Sequence, residues 1–142
     1  AEMVEAAAAL GYEYIAITDH SQNAWSSRKL ALEDVPRQRE ELHAVRARVP
    51  GIEILHGVEV DILKDGALAF DDSVLAAFDI GLASLHDHGG QDAGLLTDRY
   101  LHAIRHPLVN VITHPANRSP AQPLPRHQTS MLPPLSRRSN PS

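Results

Sequence analysis

Four residues able to bind a divalent cation stand at the ends of four short apolar runs in this 142-residue chain. His20 closes IAITDH, Glu59 lies within GVEVDI (Gly57 to Ile62), His86 closes IGLASLH and His114 closes VNVITH. Three imidazoles and a carboxylate suit zinc, manganese or iron. A Glu bridging two such ions would set up a paired-metal centre, which activates water and clamps a phosphate during in-line attack. A single His after a strand is an ordinary polar loop residue. Four metal-capable residues at equivalent positions in successive units argue for one site instead.

The elements that must position them follow from the spacing. In GVEVDI, Val58, Val60 and Ile62 alternate with Glu59 and Asp61, so a strand would put aliphatic side chains on one face and two carboxylates on the other. A carboxylate on such a strand is costly to bury unless something cationic meets it. Glu2 to Leu10 reads as a helix with Met3, Ala7 and Leu10 on one face and Gly11 as its stop. Tyr14 to Thr18 reads as a strand and Asp19 to Lys29 as a loop. A second helix, with Asp34 as N-cap and Pro36 in its first turn, runs to Pro50-Gly51 on a stripe of Val35, Leu42, Val45 and Val49. Ile52 to Ile62 is predicted as strand with a bend at Gly57, and Asp65-Gly66 as a turn. Then come a short helix, Ser73 to Phe78, capped by Asp72; a strand, Ile80 to Ser84; and a loop, His86 to Gly94. A helix from Thr97 to His106 and a strand from Val109 to Thr113 complete the pattern. Alternation of this kind predicts an α/β fold of parallel β/α units, with the site at the C-terminal ends of the strands.

Other polar residues carry two readings each. Asp19 would orient an imidazole or cap a turn, and Asp61 would support the site or be a satisfied polar residue. Arg118 would hold a phosphate or be a solvated loop residue. Asp87 and His88 lie close to His86 in sequence. His43, His102 and His106 are read as surface residues on helices, His56 as structural, and Trp25 as a lid or a loop anchor.

Composition narrows the function classes. There is no cysteine, which removes disulfides, thiolate metal sites and a cysteine nucleophile. The formal net charge of -5 argues against a general nucleic-acid-binding surface. No run of 18 apolar residues predicts a membrane span, and no secretory signal pattern opens the chain. No P-loop, GxGxxG, GxSxG or HExxH motif is present. Residues 119–142 hold six Pro, five Ser and three Arg but no acid, Gly or aromatic residue. Such a segment cannot offset its ordering entropy and is predicted to be disordered, leaving 1–118 as the folded part.

GYEYIAITDHS, GVEVDILKDGAL, DIGLASLH and NVITHPANR, in this order and spacing, resemble the polymerase-and-histidinol-phosphatase (PHP) family. The likeness is greatest to the C-terminal domain of bacterial family X DNA polymerases and to stand-alone proteins like it, over residues 2 to 118. It implies part of a distorted seven-stranded β/α barrel, with units missing at both ends, and up to three divalent metal ions. It further implies phosphoester hydrolysis, as a 3′–5′ exonuclease or DNA-end-processing activity. A histidinol-phosphatase-like activity on small phosphate esters and a non-catalytic partner-binding module are the alternatives. By motif, Glu59 resembles the carboxylate bridging two metals, His86 and His114 ligands of the second metal of that pair, and His20 a ligand of the third. The family's opening HxH motif and a late Asp and His are absent, which predicts weak metal binding and little turnover. The resemblance and the lack of targeting signals imply a cytoplasmic location. Four strands also leave open sheet edges, which favours self-association.

Overall fold

The computed structural model describes residues 1–22, 29–86 and 92–115. Helix α1 (Glu2–Ala9) leads to strand β1 (Tyr14–His20). A 3-10 turn (Leu32–Asp34) precedes helix α2 (Val35–Arg48), which is followed by β2 (Glu53–Asp61), α3 (Asp72–Leu75), β3 (Ile80–Ser84), α4 (Ala93–Arg105) and β4 (Val111–Ile112). The strands form one parallel sheet in the order β1-β2-β3-β4. This is the predicted α/β architecture of parallel β/α units, and among the described residues it comprises four strands.

Alternation along the strands sorts the side chains. Ile15 and Ile17 of β1 and Ile54 of β2 pack with Val4 and Ala7 of α1 and Leu42 and Val45 of α2. Val58 and Val60, with Ile62, pack with Ala83, Leu85, Leu75 and Ala103 beneath α3 and α4. Both apolar clusters therefore lie on one face of the sheet, and the four helices of the described residues cover that face. Leu55, Glu59, Asp61, Leu82, Ser84 and Thr113 belong by parity to the opposite face.

Several boundaries differ from the expectations. Strand β1 runs through Asp19 and His20 because both pair in register with β2. The buried face of α1 is Val4 and Ala7, whereas Met3 and Leu10 are exposed, because the helix packs on the cluster shared with α2 and β2 through Val4, Ala7 and Ala8. Gly11 has φ +81, as its stop role requires. Asp71, not Asp72, caps α3 by accepting from the Val74 N–H at 3.0 Å. Asp34 pairs with Arg37 and makes no capping bond. Helix α4 starts earlier than predicted, at Ala93, with Asp92 accepting from the Gly94 N–H. Strand β2 pairs continuously through Gly57. A Cβ there would lie 2.6 Å from Thr18 Cγ2 and 2.8 Å from Ile80 Cγ2, so glycine serves close packing rather than a bend. Among the described residues no helix is long and apolar enough to cross a membrane.

Candidate metal centre

Register brings the chemistry together. His20 pairs opposite Glu59, and Glu59 opposite Leu82, two residues before Ser84 and four before His86. All project from the face opposite the described helices, at the C-terminal ends of β1, β2 and β3. One donor atom each from His20, Glu59 and His86 lies within 4.8 Å of the others, so the three could hold a metal ion. Their imidazole rings are close, with centroids 5.0 Å apart for His20 and His86 and 5.3 Å for His86 and His114.

Glu59 is the centre of the group. Its Oε2 faces His20 Nε2 at 3.6 Å, and its Oε1 faces His86 Nε2 at 3.3 Å and His114 Nε2 at 3.0 Å. Thr113 Oγ1 donates to the same Oε1 at 3.1 Å. Burial, the largest single influence, raises the Glu59 pKa. Hydrogen bonds from Ser84, His114 and Thr113 and the charge of His20 outweigh it, so the carboxyl lies below its ordinary value and is held ionised. His114 reaches Glu59 from just beyond β4 with φ +28, the only positive φ of a non-glycine residue among those described.

The carboxylates flanking the group fall on different faces. Asp61 shares the Glu59 face, is buried, and places Oδ1 2.7 Å from His86 Nδ1. Asp19, next to His20 but of opposite parity, turns away and accepts from Gln38 of α2. Gln38 Oε1 in turn lies 2.8 Å from Nε2 of the buried His56. Asp19 thus joins a network beneath the helices rather than orienting an imidazole of the group. His43 and His102 are exposed and His106 is half-buried, its ring 3.1 Å from Asp72. Trp25, Asp87, His88, Arg118 and the 119–142 segment lie outside the described residues.

Three participants carried too little signal to be singled out in the sequence: Ser21, Ser84 and Thr113. Ser21 Oγ donates to Asp61 Oδ2, and Ser84 Oγ lies 3.2 Å from His86 Nδ1. Each is adjacent to, or two residues from, a metal-capable residue, and Ser84 and Thr113 are polar positions in apolar runs, on the face they share with Glu59. That parity was the available clue.

Over 117 residues, 82% of this chain, the sequence is 42% identical to the DNA polymerase/3′-5′ exonuclease PolX of Bacillus subtilis, of which the match spans 20%. The chain is related to the PHP family. A probable phosphatase of Thermoanaerobacter sp. is 38% identical over 80 residues, 54% of this chain and 33% of the relative. A probable phosphatase of Syntrophotalea carbinolica is 29% identical over 126 residues, 87% of this chain and 49% of the relative. No protein-family model matches the chain. This PHP relative therefore spans less than half the length of each of these three curated proteins.

Proposed function

We propose that this chain is the metal-binding part of a PHP-type phosphoesterase. The observation that carries the reading is the gathering of His20, Glu59 and His86 at the strand ends, with donor atoms within 4.8 Å of one another. The donor set is nitrogen and oxygen only, with an ionised carboxylate at its centre, and fits zinc, manganese or iron. The split of Glu59, Oε2 toward His20 and Oε1 toward His86 and His114, supports a bridging role between two ions. Bound metal ions would supply Lewis acidity toward a phosphate and lower the pKa of water. The chain's own contribution is to hold Glu59 ionised, to fix His86 through Asp61 and to deliver His114 from β4. Arg118 is a candidate for contacting a phosphate oxygen.

The likeness to PolX favours a DNA 3′ end as substrate. The repeated likeness to probable phosphatases favours a small phosphate monoester as the second reading. Turnover of single-stranded DNA 3′ ends against a small aryl phosphate separates the two.

The deciding measurement is metal content by plasma mass spectrometry of the purified chain and of Glu59→Gln. About one or more equivalents of zinc, manganese or iron per chain, lost in the variant, is expected. Equal metal content in both would overturn the reading and leave a partner-binding module.

A further inference from the structure

We infer that Ser21 is a positioning residue: acting through Asp61, it holds the His86 ring in the tautomer whose free nitrogen faces Glu59. The inference deepens the metal-centre reading and takes its functional meaning from it, but it is tested first without metal.

Ser21, Asp61 and His86 form one chain of contacts across three strand ends. Ser21 lies just past β1 and is 0% exposed. Its N–H donates to the Glu59 carbonyl at 2.9 Å, which ties it to the backbone of the proposed bridging residue. Its hydroxyl donates to Asp61 Oδ2 and accepts from the Asp61 N–H at 3.1 Å. A serine hydroxyl has a single proton, and here it is committed to the carboxylate. The Asp61 carboxylate is thereby fixed at one oxygen, and the other, Oδ1, meets His86 Nδ1 at 2.7 Å. An ionised carboxylate can only accept, so the proton belongs on Nδ1.

The consequence falls on the far side of the ring. In neutral imidazole with a proton on Nδ1, Nε2 carries a free lone pair. That atom faces Glu59 Oε1 at 3.3 Å. Two acceptors then confront each other, an arrangement that a cation between them relieves. The opposite tautomer would aim an N–H at Glu59 and close the position. Ser84 Oγ lies 3.2 Å from His86 Nδ1 and 3.3 Å from Nε2, so it meets both ring nitrogens nearly alike and does not choose between them. The choice lies with Asp61 Oδ1 at 2.7 Å and, behind it, with the buried Ser21.

The test is nitrogen-15 spectroscopy of the histidine rings in the metal-free chain at about pH 9, where an ordinary imidazole is neutral. In the unaltered chain His86 is expected as the Nδ1-protonated tautomer alone, with a Ser21 hydroxyl proton slow to exchange with water. In Ser21→Ala, His86 is expected as a mixture of tautomers, and zinc affinity, measured by chelator competition, is expected to fall about 10- to 100-fold. A mixed or Nε2-protonated His86 in the unaltered chain overturns the inference. So does a Ser21 hydroxyl that exchanges as fast as a surface serine's, and neither observation needs a variant to fold. A folded Ser21→Ala with a single tautomer and zinc affinity within about twofold overturns it as well. If the unaltered chain shows the single tautomer and the slow hydroxyl but takes up no zinc, the metal-centre reading fails and the positioning role of Ser21 stands.

Discussion

Glu59 shows how hydroxyls and imidazoles keep a carboxylate charged on an aliphatic strand. Hydroxyls from Ser84 and Thr113 and imidazoles from His20 and His114 supply the stabilisation. His56 shows the opposite case on the helix-covered face. Burial lowers its pKa below the ordinary 6.5; Asp79 and Asp19 oppose this, and Arg39 and Arg46 add to it. Its Nδ1 is buried with no hydrogen-bond partner among the described residues, which also disfavours the doubly protonated ring. The sign of the stability effect follows. Above 6.5 the ring is neutral folded or unfolded, and the stability is complete. As the pH falls below 6.5 the unfolded chain takes up the proton first, and stability is lost until the folded-state pKa is passed. Denaturant midpoints measured from pH 8 to pH 5 are therefore expected to fall more steeply in the unaltered chain than in His56→Leu. Parallel curves would show that His56 does not contribute. His56→Leu should itself be less stable at pH 8, because Gln38 loses its partner.

At the scale of elements, strand β4 has only two residues in strand geometry, yet it delivers both Thr113 and His114. Its placement depends on Gly81 of β3. The Gly81 N–H donates to Asn110 Oδ1 at 2.9 Å, and its carbonyl accepts from the Asn110 N–H at 2.8 Å. A Cβ on residue 81 would lie 2.3 Å from the Leu108 carbonyl oxygen, so the segment leading into β4 would have to move. Gly81→Ala is expected to cost about 1–3 kcal/mol of stability, as overpacking does. It is also expected to weaken metal binding by displacing His114. Chemical denaturation and metal titration of the same variant check both effects, and an unshifted denaturation midpoint would refute the first.

For the molecule as a whole, β2 is the shared member of both apolar clusters. Its lower half packs with α1 and α2 through Ile54, and its upper half packs with α3 and α4 through Val58 and Val60. Val58 and Val60 are 0% exposed, whereas β1 and β4 form the two sides of the sheet. Local opening is least favourable where burial and pairing are both complete. Amide hydrogen exchange is therefore expected to be slowest for Val58 to Val60 and fastest among the strands for β4. Protection of β4 equal to that of β2 would mean that the described sheet edge is covered.

Local spacing in the sequence determined the parity of each strand, hence which side chains share a face. It also determined that His20, Glu59, His86 and His114 stand at strand ends, because a strand's period of two is written in its residue types. Helix α2 and strand β3 were legible for the same reason: an apolar stripe at helical spacing and a compact apolar run leave few alternatives. Only the tertiary structure decided the contacts between strands. That Asp61 meets His86 while Asp19 turns to Gln38, that Ser21 bonds Asp61 forty residues away, and that Gly57 and Gly81 accommodate neighbours all depend on lateral register. Register is set by pairing and packing between distant segments, and a residue type at a single position carries no record of the neighbour it will face.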